Sequence, residues 1–370
     1  MNSSTQDNRN PLVVATVAPA AEADRALHAG EHVKHDFGTG KLLIAIVVML
    51  GIAFTALCIG RYRGTSPIDA IHVLLSLAFP IPETWDIVSY NVVVNVRLPR
   101  VLAAALIGGG LALSGATYQG VFQNPLVAPD ILGVSGGACV GAALSILLGL
   151  SSVGTQVFAL VGGLAAVALT LLIPRILKNN TTLMLVLAGV VVSGFANALI
   201  GILKYVADPE TQLAAITYWM MGSISNASLE RVGSVAPAMI VSIILLISLS
   251  WRVNVLSMGE AEAMTLGVNV RRSRTLLVVL STLLTGCAVC ISGLVGWVGL
   301  IIPHLTRLII GTDNTKLMPI AFFLGASFMI VVDTCARTLT GSEIPLSILT
   351  GLIGTPLFIW LLYRTKVKLS

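Results

Sequence analysis

The sequence predicts an all-α integral membrane protein with about ten transmembrane helices, and three observations carry that prediction. Hydrophobic residues make up 56% of the chain and charged residues only 11%, whereas soluble domains carry about 25% charged residues. Mean hydropathy is +0.92. From Lys41 onward, uncharged apolar runs recur, each of about 20 residues and so long enough to cross about 30 Å of hydrocarbon as a helix. Lipid offers no partner for backbone N–H and C=O groups, so these runs are expected to be helices rather than open strands.

The spans are placed at 41–60, 100–122, 132–150, 156–177, 182–205, 232–251, 274–295, 299–311, 317–337 and 344–363. The eighth is short, and the positive-inside rule supplies a check on it. With ten spans and both ends inside, the inner Lys and Arg residues outnumber the outer set by about two to one. That outer set is Arg61, Arg63, Arg97, Arg100, Lys204, Arg231 and Arg337. Residues 1–40 are polar and lack an apolar run, so they read as a flexible cytoplasmic tail. They are not expected to be a signal peptide, because the first apolar segment is full membrane length with no small-residue cleavage site after it. The net charge of +5 sits mostly at membrane edges and needs no nucleic acid to explain it.

Several chemistries find no support. Gly38-Thr39-Gly40-Lys41 lacks the first glycine of a phosphate-binding loop and is followed by Leu42, so no ATPase is expected within the chain. No Ser/His/Asp set or carboxylate pair suggests catalysis, and no cofactor or metal site is expected. Cys287-Ala-Val-Cys290 is formally a CxxC, but Cys58, Cys139, Cys287, Cys290 and Cys335 all lie in or beside apolar spans, where cysteine behaves as a small hydrophobe. His28, His32 and His35 read as solvated tail residues. Asp333 is the main charge inside a span. Ion-coupled carriers keep ionisable groups at mid-membrane depth, so their scarcity points to an external energy source.

Other patterns concern packing and gating. Gly133, Gly137 and Gly141 form a small-residue ridge, and Gly110 with Ser114 a second, which allow close helix approach. Pro125 and Pro129 end the second span in a polar turn, a candidate gate or contact loop. Ser114-Gly115 precedes Pro125 at the same interval at which Ser292-Gly293 precedes Pro303, hinting at duplicated architecture. The loop 252–273 centres on Gly259 to Leu266, a short helix that Glu260 and Glu262 keep out of lipid and that suits a groove on a soluble partner.

Taken in order, Arg97-Leu-Pro-Arg100, Ser114-Gly115, Gln123-Asn124-Pro125-Leu126, Leu132-Gly133-Val134-Ser135-Gly136, Tyr218-Trp219-Met220-Met221-Gly222-Ser223, Gly299-Leu300-Ile301-Ile302-Pro303-His304, Glu343-Ile344-Pro345 and Gly354-Thr355-Pro356 resemble the permease family for iron-siderophore, haem and cobalamin uptake. The match covers about residues 41–365. The resemblance implies a type II ABC importer permease fold in the bacterial inner membrane, as a ten-helix domain over 41–365 with a coupling loop at 252–273. It implies a transporter subunit, not an enzyme: a homodimer or pseudo-heterodimer with two cytoplasmic ATPase subunits below and a substrate-binding protein above. Arg97, Arg100 and Arg337 would be exposed outer arginines that receive acidic groups of the binding protein. Asn124, Leu126, Thr181 and Thr182 would form the cytoplasmic gate. Glu260, Glu262, Ala263, Leu266 and Gly267 would form the ATPase coupling helix, and 209–222 a short outer helix. Ferric siderophore is the first expected cargo, followed by cobalamin and haem. The competing classes are an ion-coupled secondary carrier and a structural membrane subunit without a path.

Overall fold

The computed structural model describes residues 20–62, 64, 66–179 and 181–366. Residues 1–19 of the expected tail, Arg63 and the histidine side chains of that tail lie outside this description. Among the described residues the secondary structure is all helical. Helix α1 (Ala20–Cys58) contains the apolar segment Gly38–Cys58. It is followed by α2 (Pro67–Ser76), α3 (Ile87–Asn91), a π-helical turn at Val92–Arg97, and α4 (Leu98–Val121). The chain continues through α5 (Val134–Leu147), α6 (Ser152–Ile176), α7 (Thr182–Val206), α8 (Gln212–Met221) and α9 (Leu229–Ser248). The remainder is α10 (Ser250–Met258), α11 (Glu260–Thr265), α12 (Val270–Ser292), α13 (Val298–Ile310), α14 (Asn314–Thr338) and α15 (Leu346–Lys366).

Eight helical segments are long and apolar enough to cross a bilayer, and Val134–Leu147 and Val298–Ile310 are shorter apolar helices. Together these occupy the positions of the ten predicted spans. The second span differs most. It starts near Ile87 rather than residue 100, as a 35-residue run through Val121. Pro99 has no N–H to donate, and just upstream the Leu98 N–H bonds back to Val93 O, so the widened turn takes up the register change that proline imposes.

Capping explains where the helices begin. Ser66 and Asp69 form a reciprocal capping box on α2, and Asp86, Ser151, Thr181, Ser228, Asn269 and Asp313 each accept a backbone N–H at the start of a helix. Each side chain satisfies one of the donors that a helix start leaves open.

Within residues 42–370, α4 is the central helix, buried along almost its whole length and packed on α9, α12, α13 and α14. Helices α5, α6 and α7 form a second group joined to it through α12. Glycine makes the tightest crossings possible. A Cβ on Gly108 would lie 2.2 Å from Gly325 O, and one on Gly115 would lie 1.8 Å from Gly299 O. In lipid, where apolar surface gains little from leaving its surroundings, such close backbone approach supplies the van der Waals contact that holds helices together. Gly137 and Gly141 serve the predicted ridge against α6, where an added Cβ would lie 2.3 Å from Gly162 O and 2.0 Å from Phe158 O. Gly133 does not belong to that ridge: at φ +81° it is the turn residue before α5. Ser114 and Tyr118 add polar contacts from α4 to α12. The Ser114 hydroxyl donates to Ser281 O at 3.0 Å, and Tyr118 Oη lies 2.7 Å from Thr282 Oγ1.

The spacing echo between Pro125 and Pro303 does not mark equivalent structure. Pro125 sits in the turn after α4, while Pro303 lies inside α13.

Candidate functional site

The arginines expected on an exposed rim are inside the protein. Arg97 is 2% exposed and Arg100 4%, and Arg337 is also buried. Helix α1 ends at Cys58, leaving its last carbonyls without intrahelical donors, and the guanidinium groups fill that need. Arg97 donates to Leu57 O at 2.7 Å, Cys58 O at 3.0 Å and Tyr62 O at 2.9 Å. Arg337 donates to Ala56 O. Gly60 leaves room for Arg97, since a Cβ there would lie 2.7 Å from the guanidinium. Cations at a helix C-terminus also meet the negative end of the macrodipole.

Arg100 forms the centre of a buried ion cluster. It donates to Asp333 Oδ1 at 2.7 Å, to Glu343 Oε1 at 2.6 Å and to Glu343 Oε2 at 3.0 Å. Arg337 Nε stands 3.7 Å from Asp333 Oδ2. The expected exposure of Arg97, Arg100 and Arg337 is therefore corrected. Their departure from the positive-inside bias is explained by helix capping and internal pairing, which join α1, α4, α14 and the segment before α15.

At the opposite end of α4, the turn through Gln123 to Leu126 is solvent-facing, with Leu126 54% exposed. Asn124 does not project freely, because its Oδ1 accepts the Leu126 N–H at 2.9 Å and holds the turn closed. Thr181 is exposed at the start of α7, where its hydroxyl accepts the Met184 N–H, and Thr182 is half-buried beside it. Asn124, Leu126 and Thr181 are thus exposed and Thr182 is partly so.

The expected coupling segment contains more helix than the sequence indicated. Helix α11 runs over Glu260–Thr265, and α10 precedes it from Ser250. Gly259 at φ +130° and Gly267 at φ +74° bracket α11, in backbone regions that disfavour side chains. Ala263 is fully buried and anchors the short helix. Glu262, Met264, Leu266 and Gly267 are exposed, while Glu260 pairs with Arg274 at 2.5 Å.

Gln123, read in the sequence only as part of the turn motif, and Gln119, Asn254 and Asp313, which sequence reasoning missed, connect these parts. Gln123, a non-glycine residue at φ +52°, donates from Nε2 to Leu256 O of α10 at 2.9 Å. Gln119 donates to Val127 O at 3.2 Å and accepts from Arg307 of α13 at 2.5 Å. Asn254 of α10 donates to Asp313 Oδ1 at 2.7 Å and accepts the Asn314 N–H at 2.7 Å. Burial raises the Asp313 carboxyl, but hydrogen bonds from Thr315 and Asn254 outweigh it and hold the group below the usual carboxylate range. The turn after α4 is thereby fastened to α10 and α13, and α10 to the start of α14. The signal available in sequence was only the polarity of Gln119 and Gln123 beside a proline turn.

An all-helical bundle with a central glycine-lined helix, an exposed turn at one end of it, and a short anchored helix beside that turn defines a membrane permease of the type II ABC importer fold. The chain belongs to the FecCD transport family, which it matches over residues 43–364. It is 42% identical to the molybdate import system permease of Haemophilus influenzae over 328 residues, covering 88% of this chain and 96% of that one. It is 38% identical to an iron chelatin transport system permease of Helicobacter pylori strain 26695, covering 74% and 83%, and 34% identical to the cobalamin import permease of Halobacterium salinarum, covering 97% and 91%. A solved inward-facing chain of a metal-chelate type ABC transporter superposes with a TM-score of 0.78 at 40% identity, covering 87% of this chain and 98% of that one. The protein is accordingly a multi-pass permease subunit of an ABC importer.

Proposed function

We propose that the chain passes a metal-bearing anion, a class that includes molybdate and ferric siderophores, through a path at its interface with a second permease subunit, identical or paralogous. Two cytoplasmic ATPase subunits seat on the exposed face of α11, a substrate-binding protein docks at the other end of the bundle, and both termini lie in the cytoplasm of a bacterial inner-membrane assembly. The observation that supports coupling is the Gln123 bond to Leu256 O. Through it, motion of α10 and α11 reaches the turn that holds Asn124 and Leu126 without crossing the bundle. The substrate class rests on relatives named for molybdate and iron chelatin transport.

Alternating access needs only that ATP binding favour one arrangement of two, and a ligand shifts such an equilibrium by its differential affinity for them. Carboxylates and ammonium groups are absent from the turn itself, so its symmetry mate can close on it without an unpaired buried charge.

The test is uptake into proteoliposomes holding this chain, its ATPase and its binding protein, with labelled molybdate, a ferric siderophore, haem and cobalamin offered separately. Saturable ATP-dependent uptake of molybdate or the ferric siderophore supports the proposal, and uptake of cobalamin alone overturns it. A second expectation concerns Gln123→Ala, which keeps the turn but removes its bond to α10. Loss of one hydrogen bond worth about 1 kcal/mol predicts uptake per ATP hydrolysed lowered about fivefold, measured as the ratio of the two rates.

A further inference from the structure

A cavity of about 430 Å³ lies between the end of α6, the start of α7, helix α11 and the start of α12. Its floor is apolar, with Leu171, Leu185 and Val278, and its mouth carries Arg175, Arg271 and Arg274. Arg175 and Arg271 are exposed, and among the described residues their side chains have no ion pair or hydrogen bond. Arg274 is largely buried: one end of its guanidinium meets Glu260, while its Nε is buried without a partner.

The placement of these charges runs against local electrostatics. Arg271 and Arg274 stand three residues apart on one face of the first turns of α12, where the macrodipole is positive and cations are disfavoured. The first turn of α12 holds no acidic residue, so Glu260 is left to offset the group. Asn269 and Thr181, which cap α12 and α7, also line the cavity, bringing two helix starts to the same opening. Helix starts and guanidinium forks are both suited to an oxyanion. The positive-inside bias accounts for arginine at a membrane edge; it does not account for a concave site, an orphaned guanidinium nitrogen and two helix N-termini converging there.

We infer that this cavity binds a phosphate-class oxyanion, supplied either by the headgroup of an anionic phospholipid or by free phosphate. The oxyanion would sit between Arg175, Arg271 and the unpaired side of Arg274, above the apolar floor. Because the site touches both Thr181 of the expected gate and Glu260 of α11, its occupancy would brace those two elements against each other.

The test uses the assembled transporter, permease with its ATPase subunits, carrying either the native residues or Arg175→Gln with Arg271→Gln. Both positions are exposed, and Arg274–Glu260 is left intact. One arm measures phosphatidylglycerol retained against phosphatidylcholine by native mass spectrometry after detergent washing. The other measures labelled inorganic phosphate bound in phosphatidylcholine nanodiscs. Removing two charge-assisted contacts is expected to weaken binding at least about tenfold in whichever arm binds. Selective phosphatidylglycerol retention lost in the double variant assigns a lipid headgroup, and saturable phosphate binding lost in it assigns a free anion. Equal binding by both proteins in both arms overturns the inference. So does release of the ATPase subunits from the variant with no change in either anion, which would make the cavity a seat for an acidic side chain of the ATPase.

Discussion

Arg100→Ala is expected to destabilise the folded permease by about 3–5 kcal/mol, the range for breaking a buried ion pair from one side. The substitution strands Asp333, whose side chain is 2% exposed, with only the longer contact to Arg337 remaining. Arg100→Lys should recover little, because a single ammonium cannot reproduce the fork that reaches Glu343 through two nitrogens and Asp333 through two. Removing Asp333 along with Arg100 should cost less than the two single changes together, since Arg100→Ala alone strands the buried Asp333 carboxylate and the double change does not, while Asp333→Ala alone leaves Arg100 its bonds to Glu343. The measurement is thermal or chemical unfolding of the purified protein across this cycle. An Arg100→Ala protein of unchanged stability that binds its substrate-binding protein poorly would contradict the internal role and return the residue to a docking surface.

The second large effect is expected at Gly115. A Cβ there would lie 1.8 Å from Gly299 O, a backbone atom that cannot rotate away, so even alanine forces α4 and α13 apart. Overpacking of this kind costs about 1–3 kcal/mol or more, and Gly115→Leu is expected to abolish the folded protein. Pro129 is seated against Gly299 on the other side, where a Cβ would meet its ring at 2.2 Å. The displacement therefore reaches the segment between the turn and α5. Size-exclusion profiles and melting of Gly115→Ala beside wild type provide the check, and an unchanged melt would contradict the close approach. Gly194, where a Cβ meets nothing within 4 Å, is the matched control.

How much of this was legible in the sequence depends on the range of the interactions. Apolar runs of membrane length are local, and the ten segments could be read directly. The short helices α2 and α3 were not read, although Ser66-Pro67-Ile68-Asp69 is a capping-box pattern with proline at the first helical position. Asp86 is a similar local signal for α3. The arginines show a different limit. The positive-inside rule marks Arg97, Arg100 and Arg337 as unusual, but it cannot separate a guanidinium facing water from one capping α1, because both lie at the same depth. Only the tertiary path, which brings Leu57 O to Arg97 and Asp333 to Arg100, makes that distinction.

The turn residues Gln123, Asn124 and Pro125 were visible, whereas Gln119 and the bonds that Gln123 and Gln119 make were not. Their partners, Leu256 O and Gly299 O, lie 133 and 180 residues away. Glycine spacing was likewise informative about packing without revealing partners: Gly137 and Gly141 meet α6, while Gly133, at the same interval, is a turn.

The central claim, that motion at α11 drives the path from outside the chain, is tested most directly by disturbing how α11 is held. Ala263 is fully buried, and Ala263→Asp would place a charge in its socket and unseat the short helix. In proteoliposomes with the ATPase and the substrate-binding protein, wild-type uptake should require ATP. The variant should lose most uptake while its ATPase subunits, assayed alone in solution, remain active. Uptake that proceeds without the ATPase subunits, or that Ala263→Asp leaves intact, would contradict the account.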